Sequence, residues 1–164
     1  MALTYEPIAT TTLTSASSLI TFSSIPSTYT DLRVVIYYST ASGSTAALRL
    51  NNDTGGNYGY KGLIGSSSSP IAFNTSGANN IRIPYNTQTN GMAFATFDIL
   101  GYTRARVKMV LYTVNQVFSS TGETASGVGT WVDNTVVNRV DLFGNTVVNF
   151  NIGTQATIYG IKAA

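Results

Sequence analysis

Residues Ile25 to Tyr38 read I-P-S-T-Y-T-D-L-R-V-V-I-Y-Y, and this stretch decides the fold class. From Leu32 onward the side chains alternate: Leu32, Val34, Ile36 and Tyr38 fall on one face, Arg33, Val35 and Tyr37 on the other. A two-residue beat is the signature of a strand, and one wholly apolar face places that strand centrally against a core. After a soft Ala-Ser-Gly-Ser turn, Ala46 to Leu50 repeats the code with Leu48 and Leu50 opposite Arg49. Asn51-Asn52-Asp53-Thr54-Gly55-Gly56 then ends the second strand with residues that tolerate positive φ or bond their own backbone.

Working outward, Leu19 to Ile25 is a short strand with Ile20 and Phe22 on one face, and Tyr58, Tyr60, Leu63 and Ile64 are large side chains separated by glycines. The serine run from Gly65 to Pro70 reads as a loop, and Ile71–Phe73 and Ile81–Tyr85 read as two short strands around an Asn74–Asn80 turn. Met92 to Tyr102 sets Ala93, Ala95, Phe97 and Ile99 opposite Met92, Phe94, Thr96 and Asp98, as in a strand buried between layers. In Val107–Val114 the pattern puts Val107, Met109 and Leu111 inward and Lys108 outward. Ser119–Thr130, rich in Gly, Ser and Thr, reads as a long exposed loop. Val136, Val140 and Leu142, then Val147–Ile152 and Thr157–Ile161, supply the last strands. No segment sustains a 3.6-residue period, so the chain is all-β, and two antiparallel sheets packed as a sandwich are the economical architecture. Residues 19–164 form that domain. Residues 1–18 form an N-terminal arm or edge strand, in which Ala9–Ser18 has too little apolar surface to order itself and is a loose connector or is held by a partner.

Composition narrows the function. The 164 residues contain no His and no Cys. That removes Cys- or His-ligated metal and every Ser-His or Cys-His nucleophile pair. The nine cations are dispersed except for Arg104, Arg106 and Lys108, whose alternate spacing is that of a solvated edge-strand face, so no nucleic-acid partner is expected. The start has no basic and apolar signal pattern, and no apolar run is long enough to span a bilayer, so no membrane partner is expected either. Asn51-x-Asp53-x-Gly55 opens like a calcium loop, but Gly62 stands where the closing bidentate Glu belongs, which makes it a turn. Among the carboxylates, Asp98 alone lies in an apolar strand, and it reads as a carboxylate on an outward face or one paired with a nearby Arg. Trp131, with Tyr58 and Tyr60, is either an aromatic platform for a ligand or a core cluster. Outer faces such as Val35 with Tyr37, and Lys108 with Val110 and Tyr112, expose enough apolar surface to call for a second copy of the chain.

The corner Ile25–Leu32, the segment Leu48-Arg49-Leu50-Asn51-Asn52-Asp53-Thr54-Gly55-Gly56-Asn57-Tyr58 and the closing Ala156–Ile161 together resemble small jelly-roll virion proteins of tailed bacteriophages, especially those of cyanobacteria and other aquatic bacteria. Ile99-Leu100-Gly101-Tyr102-Thr103 and the position of Trp131 agree in order, so the resemblance covers Phe22 to Ile161. It implies a jelly-roll β-sandwich in the virion, without catalytic site, metal or cofactor. Within that family a single domain that begins at its own Met1 is expected to be a capsid decoration (cement) protein, a homotrimer bound to the major capsid protein on the outer surface of the head. The alternative is a receptor- or glycan-binding module of a tail or fibre, with specificity in the loops 65–80 and 119–130. The contact residues expected are Leu3, Tyr5 and Ile8, docking by strand addition, together with Tyr37, Tyr58, Tyr60, Tyr112 and Trp131.

Overall fold

The computed structural model describes residues 5–65, 69–82, 91–118, 121–144 and 148–162. Twelve strands and no helix occur among them: β1 (Tyr5–Thr12), β2 (Leu19–Phe22), β3 (Asp31–Tyr38), β4 (Ala46–Leu50), β5 (Tyr58–Gly65), β6 (Pro70–Ala78), β7 (Ile81–Arg82), β8 (Met92–Leu100), β9 (Lys108–Phe118), β10 (Thr121–Trp131), β11 (Val140–Gly144) and β12 (Gln155–Ile161). They make two antiparallel sheets, one of eight strands in the order β1-β12-β3-β8-β9-β10-β5-β6 and one of four in the order β2-β11-β4-β7. The chain passes repeatedly from one sheet to the other, giving an all-β jelly-roll sandwich.

The alternation in β3 is realised as read: Leu32, Val34, Ile36 and Tyr38 are fully buried, and the strand lies between β12 and β8. They meet Leu48, Leu50, Val140, Leu142, Ile20 and Phe22 of the small sheet in one core. Tyr38 and Tyr58 carry their hydroxyls into that core at no cost in unmade bonds, because Tyr38 Oη accepts from Ala46 N (3.0 Å) and Tyr58 Oη both accepts from Leu50 N and donates to Leu50 O. The turn after β4 forms where Asn51 and Asn52 take φ of 50° and 55°, a region that asparagine tolerates better than most residues.

Four expectations are corrected. The supposed loop Ser119–Thr130 is, from Thr121, strand β10, paired along its length with β9 and from Thr124 onward with β5 as well. Its glycines are there for packing: a Cβ on Gly129 would stand 2.6 Å from Ile81 Cδ1, and one on Gly127 2.7 Å from the Tyr112 hydroxyl. A strand whose inward positions are Ala125, Gly127 and Gly129 leaves the room that Tyr112 and Ile81 fill. Second, β9 has the opposite parity: Lys108, Val110, Tyr112 and Val114 are buried, whereas Val107, Met109 and Leu111 are exposed. Third, two strands do flank a turn, but the first, β6, runs on through Asn74, which pairs with Lys61, to Ala78, so the turn before β7 shrinks to Asn79–Asn80; Ile83, Pro84 and Tyr85 lie outside the described residues. Fourth, β8 is buried on one face only, with Met92 and Phe94 on the exposed one.

The N-terminal segment is also held by its own chain. β1 pairs with β12 from Tyr5↔Ile161 to Thr12↔Gln155, Leu13 N donates to Thr154 O (2.9 Å), and Ser17 bridges to Phe150. Main-chain bonds order a stretch whose side chains alone do not, while Ile8 and Leu13 pack against the core.

Candidate functional site

All seven carboxylates are engaged. Asp98 lies opposite Arg33 on the outer face and receives both prongs of its guanidinium, at 2.5 and 2.8 Å, so both alternatives left open by the sequence hold. Glu6 accepts from Lys162 Nζ (2.9 Å) and Tyr29 Oη (3.0 Å), which lowers its affinity for protons. Asp133 accepts from Thr135 N (2.6 Å) and is lowered by that residue. Asp31 caps Gly101 N, Glu123 holds Gln116, and Asp141 is clasped by Thr21 and Arg139. A general acid at neutral pH needs a carboxyl pushed upward; Glu6, Asp53 and Asp133 all move downward. Among the described residues no three acidic groups gather to hold a metal ion.

Trp131 resolves to the core. It is 1% exposed, lies 6.3 Å from Tyr58 in a nearly parallel stack, and donates Nε1 to Asp53 Oδ2 at 2.7 Å. Asp53 also accepts from Asn57 Nδ2 (2.9 Å) and Gly55 N (2.8 Å), and the indole bond comes first among the causes that hold its carboxyl below the usual range. The would-be calcium loop is therefore a turn whose acid fastens β10. Beneath it Lys108 is fully buried, its Nζ donating to the carbonyls of Arg104 (2.8 Å) and Arg106 (2.7 Å) and lying 5.8 Å from the Trp131 ring centroid. Burial lowers its pKa, against the charge of Asp133. Lys108 thus closes the 101–106 loop from within and is no part of a surface cation cluster.

Tyr58, Tyr60, Tyr112 and Trp131 are all buried, with 1 to 4% exposure, a correction to the expected contact set. Tyr5 and Tyr37 are exposed, with the Arg33 guanidinium 5.4 Å above the Tyr5 ring. Ile8 is half-buried against the core, and Leu3 lies outside the described residues.

What the sequence reading missed is the composition of the outer face of the large sheet. Cross-strand register sets Tyr37 beside Phe94 and Met92 beside Val117 as one apolar ridge. Leu100 beside Met109, and Leu111 beside Val128, form another. Between them run Thr96, Thr113 and Ser126, the first two sharing a 2.6 Å hydroxyl bond, along a shallow groove of ≈ 500 Å³. Because β9 is apolar at both parities, its alternation alone does not say which side faces the core. The one residue that broke the tie, Lys108, pointed the wrong way.

No family model and no curated protein sequence matches the chain. Among solved structures it is similar to a bifunctional GH43-CE protein of Bacteroides eggerthii, at 15% identity and a TM-score of 0.31 over 80% of this chain and 18% of that one. It is also similar to peanut lectin with a bound 9mer peptide, at 9% identity and a TM-score of 0.27 over 98% and 92% of the two chains. The chain spans less than a fifth of the first of these proteins, and neither likeness bears on function.

Proposed function

We propose that the chain is a non-enzymatic structural protein that assembles with copies of itself through the outer face of its eight-stranded sheet. We further propose that the assembly is a virion component, a capsid decoration protein on the outer surface of the head. The observation that carries the first part is the pair of apolar ridges flanking the Thr-Ser groove. The side chains on these ridges are exposed by 36% (Leu100) to 64% (Val117), with Val128 half-buried, and exposed apolar side chains gathered on one face mark an interaction surface. That suits the apolar centre of an interface that buries about 800 Å² per partner. Among the described residues the ion pair on this face, Arg33–Asp98, is internally neutral, which leaves Lys61, opposite Val128, as the charge that a second copy has to accommodate. The virion part is supported by the resemblance of the Ile25–Leu32 corner and the Leu48–Tyr58 segment.

Light scattering at micromolar concentration tests assembly: an oligomer is expected, with Leu111→Glu returning a folded monomer. A wild-type monomer overturns the assembly. Co-sedimentation with undecorated heads tests the location, and protein that stays in the supernatant overturns the decoration role. A second reading, a receptor- or glycan-binding module, is favoured by a polar, arginine-lined groove between the small sheet and β6.

A further inference from the structure

A groove of ≈ 880 Å³ runs along the outer face of the small sheet and is walled on its other side by β6 and the turn after it. Arg49, Arg82 and Phe143 line it from the sheet, and Thr75, Ser76 and Asn79 from β6 and its turn; no Asp or Glu lines it. The Ala47↔Arg82 pairing makes Arg49 and Arg82 diagonal neighbours on one face, with Cα atoms about 7–8 Å apart.

Arg49 is held without a carboxylate. Its guanidinium lies 4.6 Å from the centroid of the Phe143 ring, and its Nε donates to Asn79 O at 3.3 Å. The two acids nearest to it are committed elsewhere. Asp53 serves Trp131, Asn57 and Gly55, and Asp141, directly across the strand pair, serves Thr21 and Arg139. Arg49 therefore forms no ion pair among the described residues, and its two terminal nitrogens donate to no acceptor among them. Arg82 donates Nε to Tyr60 Oη at 3.1 Å. A planar fork, oriented in advance by a ring and a carbonyl, is the arrangement that receives a carboxylate on two parallel bonds.

We propose that this groove binds an acidic glycan, with a uronate carboxylate on the Arg49 fork and Arg82 as the second positive charge. The remaining wall favours sugar over an acidic peptide, because Thr75, Ser76 and Asn79 supply hydroxyl and amide partners for ring hydroxyls, whereas of the two aromatics that line the groove Phe143 is covered by Arg49 and Tyr60 is 4% exposed. A free phosphate would use one end of a groove large enough for several sugar rings. The inference deepens the second reading above and is independent of assembly through the ridges, since no ridge side chain lines this groove, which lies between the small sheet and the edge strand β6 of the large one.

The test is an NMR titration of the full chain with a tri-uronate (an alginate trisaccharide), a neutral mannotriose, a glutamate tripeptide and inorganic phosphate. Tri-uronate is expected to shift the amides of Arg49, Asn79 and Arg82, to weaken as salt is raised, and to lose affinity about tenfold or more in Arg49→Gln, with Arg49→Lys retaining part of it. Mannotriose binding in the same groove as tightly overturns the acidic ligand while leaving a glycan module standing; no binding of either sugar overturns both. Tighter binding of the glutamate peptide or of phosphate overturns the sugar assignment. Because the shift map is read on the wild-type chain, the inference stays testable if Arg49→Gln does not fold.

Discussion

Asp53→Asn changes one atom and breaks the knot between the β4–β5 turn and β10. Oδ1 still accepts from Gly55 N, but the group in the place of Oδ2 becomes an amide donor facing two other donors, Trp131 Nε1 and Asn57 Nδ2. The indole N–H of a residue 1% exposed then has no acceptor. A bond to a charged group contributes about 1.5–3 kcal/mol, and an unmade buried donor costs about 1–3 kcal/mol, so a loss of about 2–4 kcal/mol is expected. For a chain of this size that lowers Tm by roughly 5–15 °C. Trp131 is the single tryptophan, so its fluorescence during thermal unfolding reports this locus directly. The sign in pH follows from the lowered carboxyl: its stabilisation is present above the unfolded value of 3.8 and is lost as pH falls through the folded one. Wild type and variant should therefore converge in acid. A Tm within 2 °C of wild type at neutral pH, which is about 1 kcal/mol or less, or a gap that persists unchanged below the folded pKa, refutes the reasoning.

Three other outcomes follow from the same packing. Burial pushes the Tyr38 hydroxyl up to about 12 and raises Tyr58 and Tyr112 as well; because unfolded tyrosines ionise near 10, stability is full below pH 10 and falls above it, and absorbance at the tyrosinate band should rise together with unfolding, not before it. Deleting residues 1–18 strips β1 from β12 and removes Ile8 and Leu13 from the core, so the truncated chain should lose stability and associate through the bared β12 edge; a monomer of unchanged Tm by light scattering and calorimetry contradicts this. Gly129→Val drives a side chain into Ile81 and should cost about 1–3 kcal/mol by denaturant titration, with much of that recovered by adding Ile81→Ala.

The sequence by itself determined the fold class, the central strand and the turn that follows β4, because each is written in local terms: a two-residue beat in Leu32–Tyr38, and Asn-Asn at the two positions of positive φ. Both alternatives for Asp98, an outward face or a nearby Arg, were legible for the same reason, since an acid in an apolar strand calls for water or for a cation. Only the tertiary structure decided the rest. Composition marks Gly122–Gly129 as loop, and it is strand because Ile81 and Tyr112 come from other elements to occupy the space its missing side chains leave. β9 is apolar on both sides, so which side met water was settled by the register of β8 and β10 around it, and with that choice went both the buried Lys108 and the exposed Met109 and Leu111. The groove of Arg49 and Arg82 is likewise invisible along the chain. Thirty-two residues lie between the two arginines, and the β4–β7 pairing that makes them neighbours is fixed by burial of Leu48 and Ile81 on the opposite face.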